Sequence, residues 1–477
     1  MVSDMKIWFA AAECAPFIKT GGLGDVAAAF PKALAQNGVE ACVVLPLYKS
    51  IKQNFIEQFT FVTSFTVPLS WRGVYCGVFR YEADGVRYYF LDNEYYFLRD
   101  SVYGDYDDGE RYAFYCKAVL EMMQYLGDYP DVIHCNDWQA AMIPLFLKGF
   151  YQHLSGYGGI RTMFTIHNIE YQGKVSYSFL REVLGMDEAY MQYLDYGGCV
   201  NLMFSAICLA DKVTTVSPTY AEEVKTAFYG RGLQEVLSGV SYKFCGILNG
   251  LDTVVCDPHT DPHLFHKYST KAMAGKKIGK RRLQEMLGLH ADTEIPIVAM
   301  ITRLVGHKGL DLVQYVLHEM MERRLQLVVL GTGDKAYEQM FWDAAGAYPG
   351  RVSANIRFDA DLASKLYAGA DMFLMPSLSE PCGLAQMIAM RYGTVPIVRE
   401  TGGLKDTVWP INPETGEGRG FTFQSYNAHD MLGAVDRALS LYYDNRELWK
   451  KIVRSDMEQD FSWARSAQQY IRIYESM

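Results

Sequence analysis

The sequence IWFAAA at residues 7–12, followed by KTGGLGDV at residues 19–26, decides the fold of the first half of the chain. An apolar run, a glycine-rich turn and an amphipathic segment predict a strand, a tight turn and a helix, in which Val26, Phe30 and Leu34 face the sheet. The first N–H groups of such a helix have no partner, and Lys19 adds a positive charge, so the turn suits a phosphate. The stretch therefore indicates a sugar nucleotide or nucleotide diphosphate. The alternative is a turn that binds no ligand, since similar turns occur in many α/β proteins.

Apolar runs alternate with helix-like segments along both halves of the chain. This alternation predicts parallel, doubly wound α/β sheets, and 477 residues predict about two domains of roughly 100 to 250 residues each. A stretch rich in Pro, Asp and His at 253–268 indicates a linker. The strand-like runs are 7–11, 41–45, 132–135, 162–166 and 213–216 before the linker, and 295–301, 325–330, 372–375 and 395–398 after it.

Composition excludes several classes of protein. The 45 basic and 55 acidic residues give a net charge of −10, so we expect neither nucleic acid nor an anionic membrane as a partner. The ten cysteines include no Cys-x-x-Cys pair and no cluster with zinc spacing, so we expect no metal site, no disulfide framework and a cytoplasmic location. No apolar run reaches the ~20 residues needed to cross a bilayer.

Two polar stretches of the second half follow predicted strands and open predicted helices. In TRLVGHKG at residues 302–309, Arg303 and Lys308 can converge on one diphosphate and neutralise a leaving group without a metal. In PSLSEPCGL at residues 376–384, Glu380 can bind sugar hydroxyls while the amides after it meet phosphate at the positive end of a helix. Spacing alone leaves open that Arg303 and Lys308 belong to an ordinary solvated loop.

These stretches resemble the bacterial glycogen synthases and plant starch synthases, and motifs from residue 13 to residue 404 carry the resemblance. Further matching motifs are HCNDWQ at 134–139, TIHNIEYQG at 165–173, NGLD at 249–252 and TGGL at 401–404. The resemblance implies the GT-B architecture, two Rossmann-like doubly wound domains that face a cleft. The implied domains are an acceptor-side domain at 1–252, a nucleotide-sugar domain at 253–456 and a helix at 457–477 that packs back on the first domain.

The resemblance also implies an activity. A glycogen synthase transfers glucose from ADP-glucose to the non-reducing end of an α-1,4-glucan with retention of configuration, and no cofactor is implied. The implied catalytic residues are Glu380, His167, Lys19, Arg303 and Lys308. The acceptor residues are Tyr95, Asp137 and Trp138. The remaining donor-binding candidates are Glu13, Gly21, Gly22, Asp25, Asn249, Gly331, Phe358, Cys382, Gly383, Leu384, Thr401, Gly402 and Gly403.

Some of these positions depart from the family or allow another interpretation. Asn136 and Gln139 stand where the family more often has histidine, so the resemblance implies no role that needs imidazole at position 139. Ile388 stands where many retaining enzymes of this fold carry a second glutamate, a departure typical of glycogen and starch synthases. Asp137 can instead cap a helix, and Phe358 can instead pack in the core.

Three rival functions stay open. A transferase that uses UDP-glucose or another acceptor would share most of the motifs. A catalytically silent glucan-binding protein is disfavoured by the presence of Lys19, His167, Arg303, Lys308 and Glu380. A dinucleotide-dependent oxidoreductase is disfavoured most, because no Gly-x-Gly-x-x-Gly fingerprint follows the first strand.

Overall fold

A computed structural model describes residues 5–477, which divide into two α/β units. Unit 1 comprises the chain up to Gly250 together with Trp463–Met477, and unit 2 comprises Leu251–Ser462. The chain thus returns to unit 1 at Trp463 rather than at residue 457. Met457 belongs to unit 2, where Nη1 of Arg391 donates a hydrogen bond to its backbone oxygen at 3.2 Å.

The strands of unit 1 form one large mixed sheet and one small hairpin. They are β1 (Lys6–Ala10), β2 (Glu40–Pro46), β3 (Thr60–Leu69), β4 (Arg72–Ala83), β5 (Val86–Asp92), β6 (Val132–Asn136), β7 (Arg161–Ile166), β8 (Lys174–Val175), β9 (Val200–Asn201), β10 (Lys212–Thr215) and β11 (Phe244–Gly246). The large sheet has the order β11-β10-β7-β6-β1-β2-β5-β4-β3, and β8 pairs with β9. Pairing is parallel from β11 to β5 and antiparallel in β5-β4-β3.

Helices connect the strands of unit 1 and cover the sheet. They are α1 (Gly22–Gln36), α2 (Lys49–Phe55), α3 (Glu94–Phe97), α4 (Asp108–Leu126), α5 (Met142–Phe146), α6 (Leu202–Leu209), α7 (Pro218–Glu223) and α8 (Gln234–Gly239). Val26, Phe30 and Leu34 of α1 are all buried, as the 3.6-residue period of the sequence predicts.

Unit 2 is a second doubly wound sheet in which every pairing is parallel. Its strands are β12 (Ile297–Ile301), β13 (Gln326–Leu330), β14 (Val352–Asn355), β15 (Met372–Met375), β16 (Val395–Arg399) and β17 (Phe421–Phe423), in the order β14-β13-β12-β15-β16-β17. Its helices are α9 (Ala274–Met286), α10 (Leu310–Glu322), α11 (Lys335–Ala347), α12 (Ala360–Gly369), α13 (Ala385–Arg391), α14 (Gly402–Thr407), α15 (Ala428–Asp444) and α16 (Arg446–Met457).

The last helix, α17 (Trp463–Glu475), packs on unit 1. The rings of Trp463 and Tyr470 lie 5.2 and 4.6 Å from the ring of Phe30 on α1. The hydroxyl of Tyr474 lies 2.6 Å from Nδ1 of His134 on β6. An aromatic face and one buried hydrogen bond therefore hold the end of the chain against the first sheet.

Each sheet has one point where the chain reverses the direction in which it adds strands. In unit 2 the reversal lies between β12 and β15, and in unit 1 it lies between β1 and β6. In open α/β sheets, ligands bind outside the carboxyl ends of the strands at this point. The loops that follow these four strands are therefore the first places to look for functional groups.

The predicted doubly wound fold is confirmed, with additions. The antiparallel ribbon β3-β4-β5 and the short strands β14 and β17 were not among the predicted strands. Among residues 5–477, no helix combines the length and the apolar character that crossing a membrane requires.

Candidate active site

The loops after β12 and β15 bring Lys308 and Glu380 together at the reversal point of unit 2. Nζ of Lys308 lies 2.7 Å from Oε2 of Glu380, and the two side chains are only 17% and 10% exposed. Removing both charges from water is costly, so the pair depends on close contact and further hydrogen bonds. The hydroxyl of Ser377 supplies one of these bonds, because it donates to the same Oε2 atom at 3.2 Å. Within the described residues, both of these contacts are made to Oε2, and no group donates a hydrogen bond to Oε1 of Glu380.

Glycines let the neighbouring loops come this close. Gly402 has a φ of 46°, and a Cβ atom there would lie 2.0 Å from the backbone oxygen of Glu380. Gly331, after β13, has its Cα so close to Thr302 that a Cβ would lie 1.8 Å from the backbone oxygen of that residue. The backbone of the loops explains both glycines without any ligand.

The other donor candidates of unit 2 differ in exposure. Arg303 is exposed, and within residues 5–477 its guanidinium has no hydrogen bond or ion pair. Phe358 is 88% exposed, so the alternative that it packs in the core is wrong. Cys382 and Thr401 are buried at 4% and 0%. Gly383, Leu384 and Gly403 lie on the same turns as Glu380 and Gly402, and the N–H of Gly403 donates to the backbone oxygen of Glu380 at 3.1 Å.

In unit 1, the loop after β1 is organised around the carboxylate of Glu13, which is 4% exposed. This carboxylate accepts hydrogen bonds from the hydroxyl of Thr20 at 2.7 Å, the N–H of Gly21 at 3.0 Å and the hydroxyl of Tyr103 at 2.6 Å. The N–H of Thr20 also donates to it. Glu13 therefore stabilises the glycine turn from the buried side, and its oxygens already accept hydrogen bonds from the protein.

Lys19 and the glycines beside it are accessible. Nζ of Lys19 pairs with Oδ1 of Asp25 at 2.7 Å, and the two side chains are 46% and 39% exposed. Among residues 5–477, a Cβ atom added at Gly21 or Gly22 would meet no atom within 4 Å apart from its chain neighbours and the backbone of its own helix. The space against this turn is therefore open to a ligand, and a mobile cation lies at its edge.

The loops after β6 and β7 meet at Asp137. Its φ of 54° is unusual for a residue with a side chain, and such strain often marks functional sites. Oδ1 of Asp137 accepts hydrogen bonds from the N–H groups of His167 at 2.7 Å and Asn168 at 3.2 Å. Burial nevertheless raises the pKa of this carboxyl to about 7. Asp137 thus fixes the backbone that carries His167 and does not cap a regular helix through its side chain.

His167 is the first residue of the loop after β7. Its Nε2 atom lies 2.9 Å from Oδ1 of Asn136, the last residue of β6. Burial lowers the pKa of the ring to about 3, so the ring is neutral at physiological pH. The asparagine that replaces a commoner histidine therefore contacts a predicted catalytic residue directly.

The remaining acceptor candidates, Tyr95 and Trp138, and the donor-binding candidate Asn249 have different surroundings. Tyr95 is 68% exposed, with the guanidinium of Arg99 5.9 Å from its ring. Trp138 packs edge-on to Tyr112 at 5.2 Å. Asn249 is only 6% exposed, and within residues 5–477 its Oδ1 atom has no hydrogen-bond donor. A buried acceptor without a donor is costly, so a hydroxyl or N–H group that reached Asn249 would bind favourably.

Sequence reasoning missed three residues that support the site. Tyr103 holds Glu13, Ser377 holds Glu380, and Nη1 of Arg399 donates to the backbone oxygen of Leu378 at 2.9 Å, which supports the loop before Glu380. Ser377 could have been found, because it lies three residues before Glu380 in the quoted motif. Tyr103 lies 90 residues from Glu13 and left no local signal. Within residues 5–477, no group of three or more His, Cys, Asp or Glu side chains is arranged to hold a metal ion.

Comparison with known proteins finds a glycosyltransferase family model for each unit and glycogen synthases that match the whole chain. The family model described as the starch synthase catalytic domain matches residues 6–239, and that described as glycosyl transferases group 1 matches residues 287–456. The glycogen synthase of Geobacillus thermodenitrificans is 50% identical over 99% of this chain and 98% of its own length. The glycogen synthase of Clostridium novyi is 48% identical over 99% of each chain.

A solved structure shows the same architecture. The catalytic domain of starch synthase IV from Arabidopsis thaliana, bound to ADP and acarbose, superposes with a TM-score of 0.92 at 36% identity and covers 99% of each chain. The predicted GT-B fold class is thereby confirmed. With whole-length identities near one half, the chain belongs to the glycogen synthase family of glycosyltransferases.

Proposed function

We propose that the protein is a cytoplasmic glycogen synthase that transfers glucose from ADP-glucose to the non-reducing end of an α-1,4-glucan with retention of configuration. The observation that carries the proposal is the contact of Lys308 with Glu380 at the reversal point of unit 2. It joins a cation suited to a phosphate with a carboxylate suited to sugar hydroxyls. The full-length likeness to glycogen synthases supports the assignment of donor and acceptor.

Arg303 and Lys308 bind the diphosphate of the donor in this proposal. Charged hydrogen bonds to phosphate are short and strong, and Arg303 is exposed with no partner of its own in the described chain. As the bond to glucose breaks, negative charge grows on the departing phosphate, and both cations stabilise it. Phe358, 88% exposed, offers a ring on which the base can stack.

Glu380 orients the glucose and stabilises the positive charge that develops on its ring. Position 388 is an isoleucine and so cannot act as a carboxylate nucleophile. We therefore favour attack from the face on which the phosphate departs. The acceptor's 4-hydroxyl forms the new bond to C1, the bond from C1 to the phosphate oxygen breaks, and that oxygen takes the hydroxyl proton.

Unit 1 contributes the acceptor and a further cation. The exposed ring of Tyr95 suits one face of a glucose unit, and Asp137 and Trp138 lie at the end of β6, beside the reversal point. Lys19 adds its charge to the donor phosphates from the open turn at Gly21 and Gly22. His167 contacts the donor glucose.

The test is ADP release from ADP-glucose with and without glycogen, with UDP-glucose as the competing donor. We expect release that requires glycogen and is faster with ADP-glucose. Faster release from UDP-glucose would assign a different donor. Glycogen pull-down without any nucleotide release would identify a silent glucan-binding protein.

A second test addresses the cations. Because Arg303 and Lys308 occupy the place of a metal at the diphosphate, we expect EDTA to leave activity unchanged. Loss of activity in EDTA, with recovery in magnesium, would contradict this account.

A further inference from the structure

Asn136 is completely buried at the end of β6, and all of its hydrogen-bonding atoms are engaged. Its Nδ2 atom donates to the backbone oxygens of Ala10 at 3.1 Å and His134 at 3.0 Å. Its Oδ1 atom faces Nε2 of His167 at 2.9 Å. The amide therefore lies between two strands on one side and the imidazole on the other.

These contacts fix which end of the amide faces the ring. Two carbonyl oxygens can only accept hydrogen bonds, so the NH₂ group must face Ala10 and His134. The opposite orientation would place the buried Oδ1 against two oxygens that cannot donate to it, which is costly. Oδ1 therefore faces His167, and because Oδ1 cannot donate, the proton must belong to Nε2 of the ring.

The proton on Nε2 determines the state of the other nitrogen. A neutral imidazole carries one proton, so Nδ1 of His167 holds a free lone pair. Within residues 5–477, the ring makes its only hydrogen bond through Nε2, and no group donates to Nδ1. Burial lowers the pKa of the ring to about 3, which disfavours a second proton. The N–H of His167 is held by Asp137 at 2.7 Å, so the backbone is fixed as firmly as the ring.

We propose that Asn136 is a positioning residue that keeps His167 in the neutral form protonated at Nε2, so that Nδ1 accepts a hydrogen bond from a hydroxyl of the bound sugar. The identity of the ligand rests on the proposed function, whereas the state of the ring does not. A histidine at position 136, commoner in the family, can donate or accept and so permits either form of His167. Asparagine at this position removes that choice.

The decisive measurement is nuclear magnetic resonance of the full-length chain with ¹⁵N-labelled histidine rings. The His167 signals are those lost in His167→Gln, and the stronger coupling of Hδ2 to Nε2 distinguishes the two nitrogens. We expect a protonated Nε2 and an unprotonated Nδ1, unchanged from pH 8 to pH 5. Two titratable groups act on His167: Asp137, which accepts from its N–H, and His134, whose pKa is affected by the His167 ring, and neither donates to Nδ1. A proton on Nδ1, or titration of the ring in this range, would overturn the proposal.

Variants test whether the ring state matters for transfer. Asn136→Leu removes the acceptor for His167 together with the two hydrogen bonds that Asn136 donates to Ala10 and His134, so we expect mixed ring states and a kcat at least about tenfold lower, with ADP affinity unchanged. Asn136→His restores an acceptor and should recover most of kcat. Gln139→Leu removes a buried amide from the same segment without touching His167, and should leave the ring signals as in the wild type.

The outcomes separate this proposal from the proposed function. Wild-type ring signals in Asn136→Leu would overturn the positioning role, as would a fall in ADP affinity equal to the fall in kcat. Absence of ADP release by the wild type would remove the glycogen synthase assignment and leave the ring measurement intact, because that measurement needs no substrate.

Discussion

The two units prepare their functional loops in different ways. In unit 1, the loops after β6 and β7 are built on neutral imidazoles: His134 is buried, His167 is partly buried, and burial lowers the pKa of each ring. Unit 2 buries an ion pair, Lys308 with Glu380, whose side chains are at most 17% exposed. Neutral hydrogen-bonding groups can orient a neutral ligand such as a sugar. In an ion pair, by contrast, the lysine can leave its carboxylate partner and pair with a negatively charged ligand. Unit 1 is thus suited to hold a sugar, and unit 2 to hold a diphosphate.

The largest effect should follow from breaking the ion pair of unit 2. Glu380→Gln keeps the shape of the side chain but removes its charge, so kcat should fall by at least ~10²-fold, a loss of roughly 2.7 kcal/mol in transition-state stabilisation. Lys308 would lose its compensating charge, so ADP should bind at least as tightly as to the wild type. Steady-state kinetics and calorimetry with ADP measure the two effects.

The matched control is Ser377→Ala, which removes one hydrogen bond to Glu380 and keeps both charges. We expect its kcat to fall by less than tenfold. Near-wild-type turnover in Glu380→Gln would remove Glu380 from catalysis, and a glucosyl adduct trapped on any side chain would refute same-face attack.

Arg303 tests whether unit 2 binds the diphosphate. Because Arg303 has no partner within the described chain, Arg303→Ala leaves no buried charge unpaired and should report ligand binding alone. A charged hydrogen bond contributes roughly 1.5 to 3 kcal/mol, so ADP affinity should fall by about tenfold or more. Unchanged affinity by calorimetry would contradict the phosphate assignment.

Lys19 tests what unit 1 contributes to the binding and the reaction of the donor. Its exposed pair with Asp25 contributes little to stability, so Lys19→Ala should fold normally. If unit 2 holds the diphosphate and Lys19 acts mainly on charge that develops during transfer, turnover should fall more than ADP affinity. Asp25→Asn is the control, because it frees the lysine and keeps its charge. Equal losses of turnover and affinity in Lys19→Ala would refute this division.

The smallest expected effect is on the free energy of unfolding, through the buried neutral ring of His134 in unit 1. The folded pKa of His134 lies well below its ordinary value near 6.5, so its stabilising contribution is present above pH 6.5 and is lost as the pH falls. The difference in unfolding free energy between the wild type and His134→Gln should therefore narrow by about 1.4 kcal/mol from pH 7.5 to pH 5.5. Denaturant unfolding at both pH values measures it. His153, exposed in the same unit, provides the control: a similar narrowing in His153→Gln would refute burial as the cause.

Most of the parallel strands could be predicted from the sequence because each is a short, uninterrupted run of mostly apolar residues. β1, β2, β6, β7, β10, β12, β13, β15 and β16 all coincide with predicted runs to within two residues. β3 and β4 were missed because they form an antiparallel ribbon in which exposed and buried residues alternate, and β5, although buried, was missed because Arg87, Tyr88 and Tyr89 interrupt its apolar run. β14 and β17 were also missed; they have four and three residues and are the two edge strands of the second sheet, so each pairs on one side only.

The positions of the functional loops in the sequence could be predicted, but the contacts between their side chains could not. Lys308 and Glu380 are 72 residues apart, Asn136 and His167 are 31 apart, and Glu13 and Tyr103 are 90 apart. Local pattern identifies strand ends and turns, but which side chains meet across neighbouring loops depends on strand order. Sequence reasoning therefore treated Asn136 as a departure from the family, although the order β7-β6-β1 places it against His167 and Ala10.

The return of the chain to unit 1 at Trp463 has a consequence for protein synthesis. Residues 251–462 are contiguous, so unit 2 has its whole sequence outside the ribosome before unit 1 does. Until residues 463–477 emerge, Phe30 lacks the rings of Trp463 and Tyr470, and His134 lacks the hydroxyl of Tyr474. The domain that begins first is therefore completed last, and a ribosome that stops at residue 462 releases a finished second unit joined to a first one with an uncovered aromatic face.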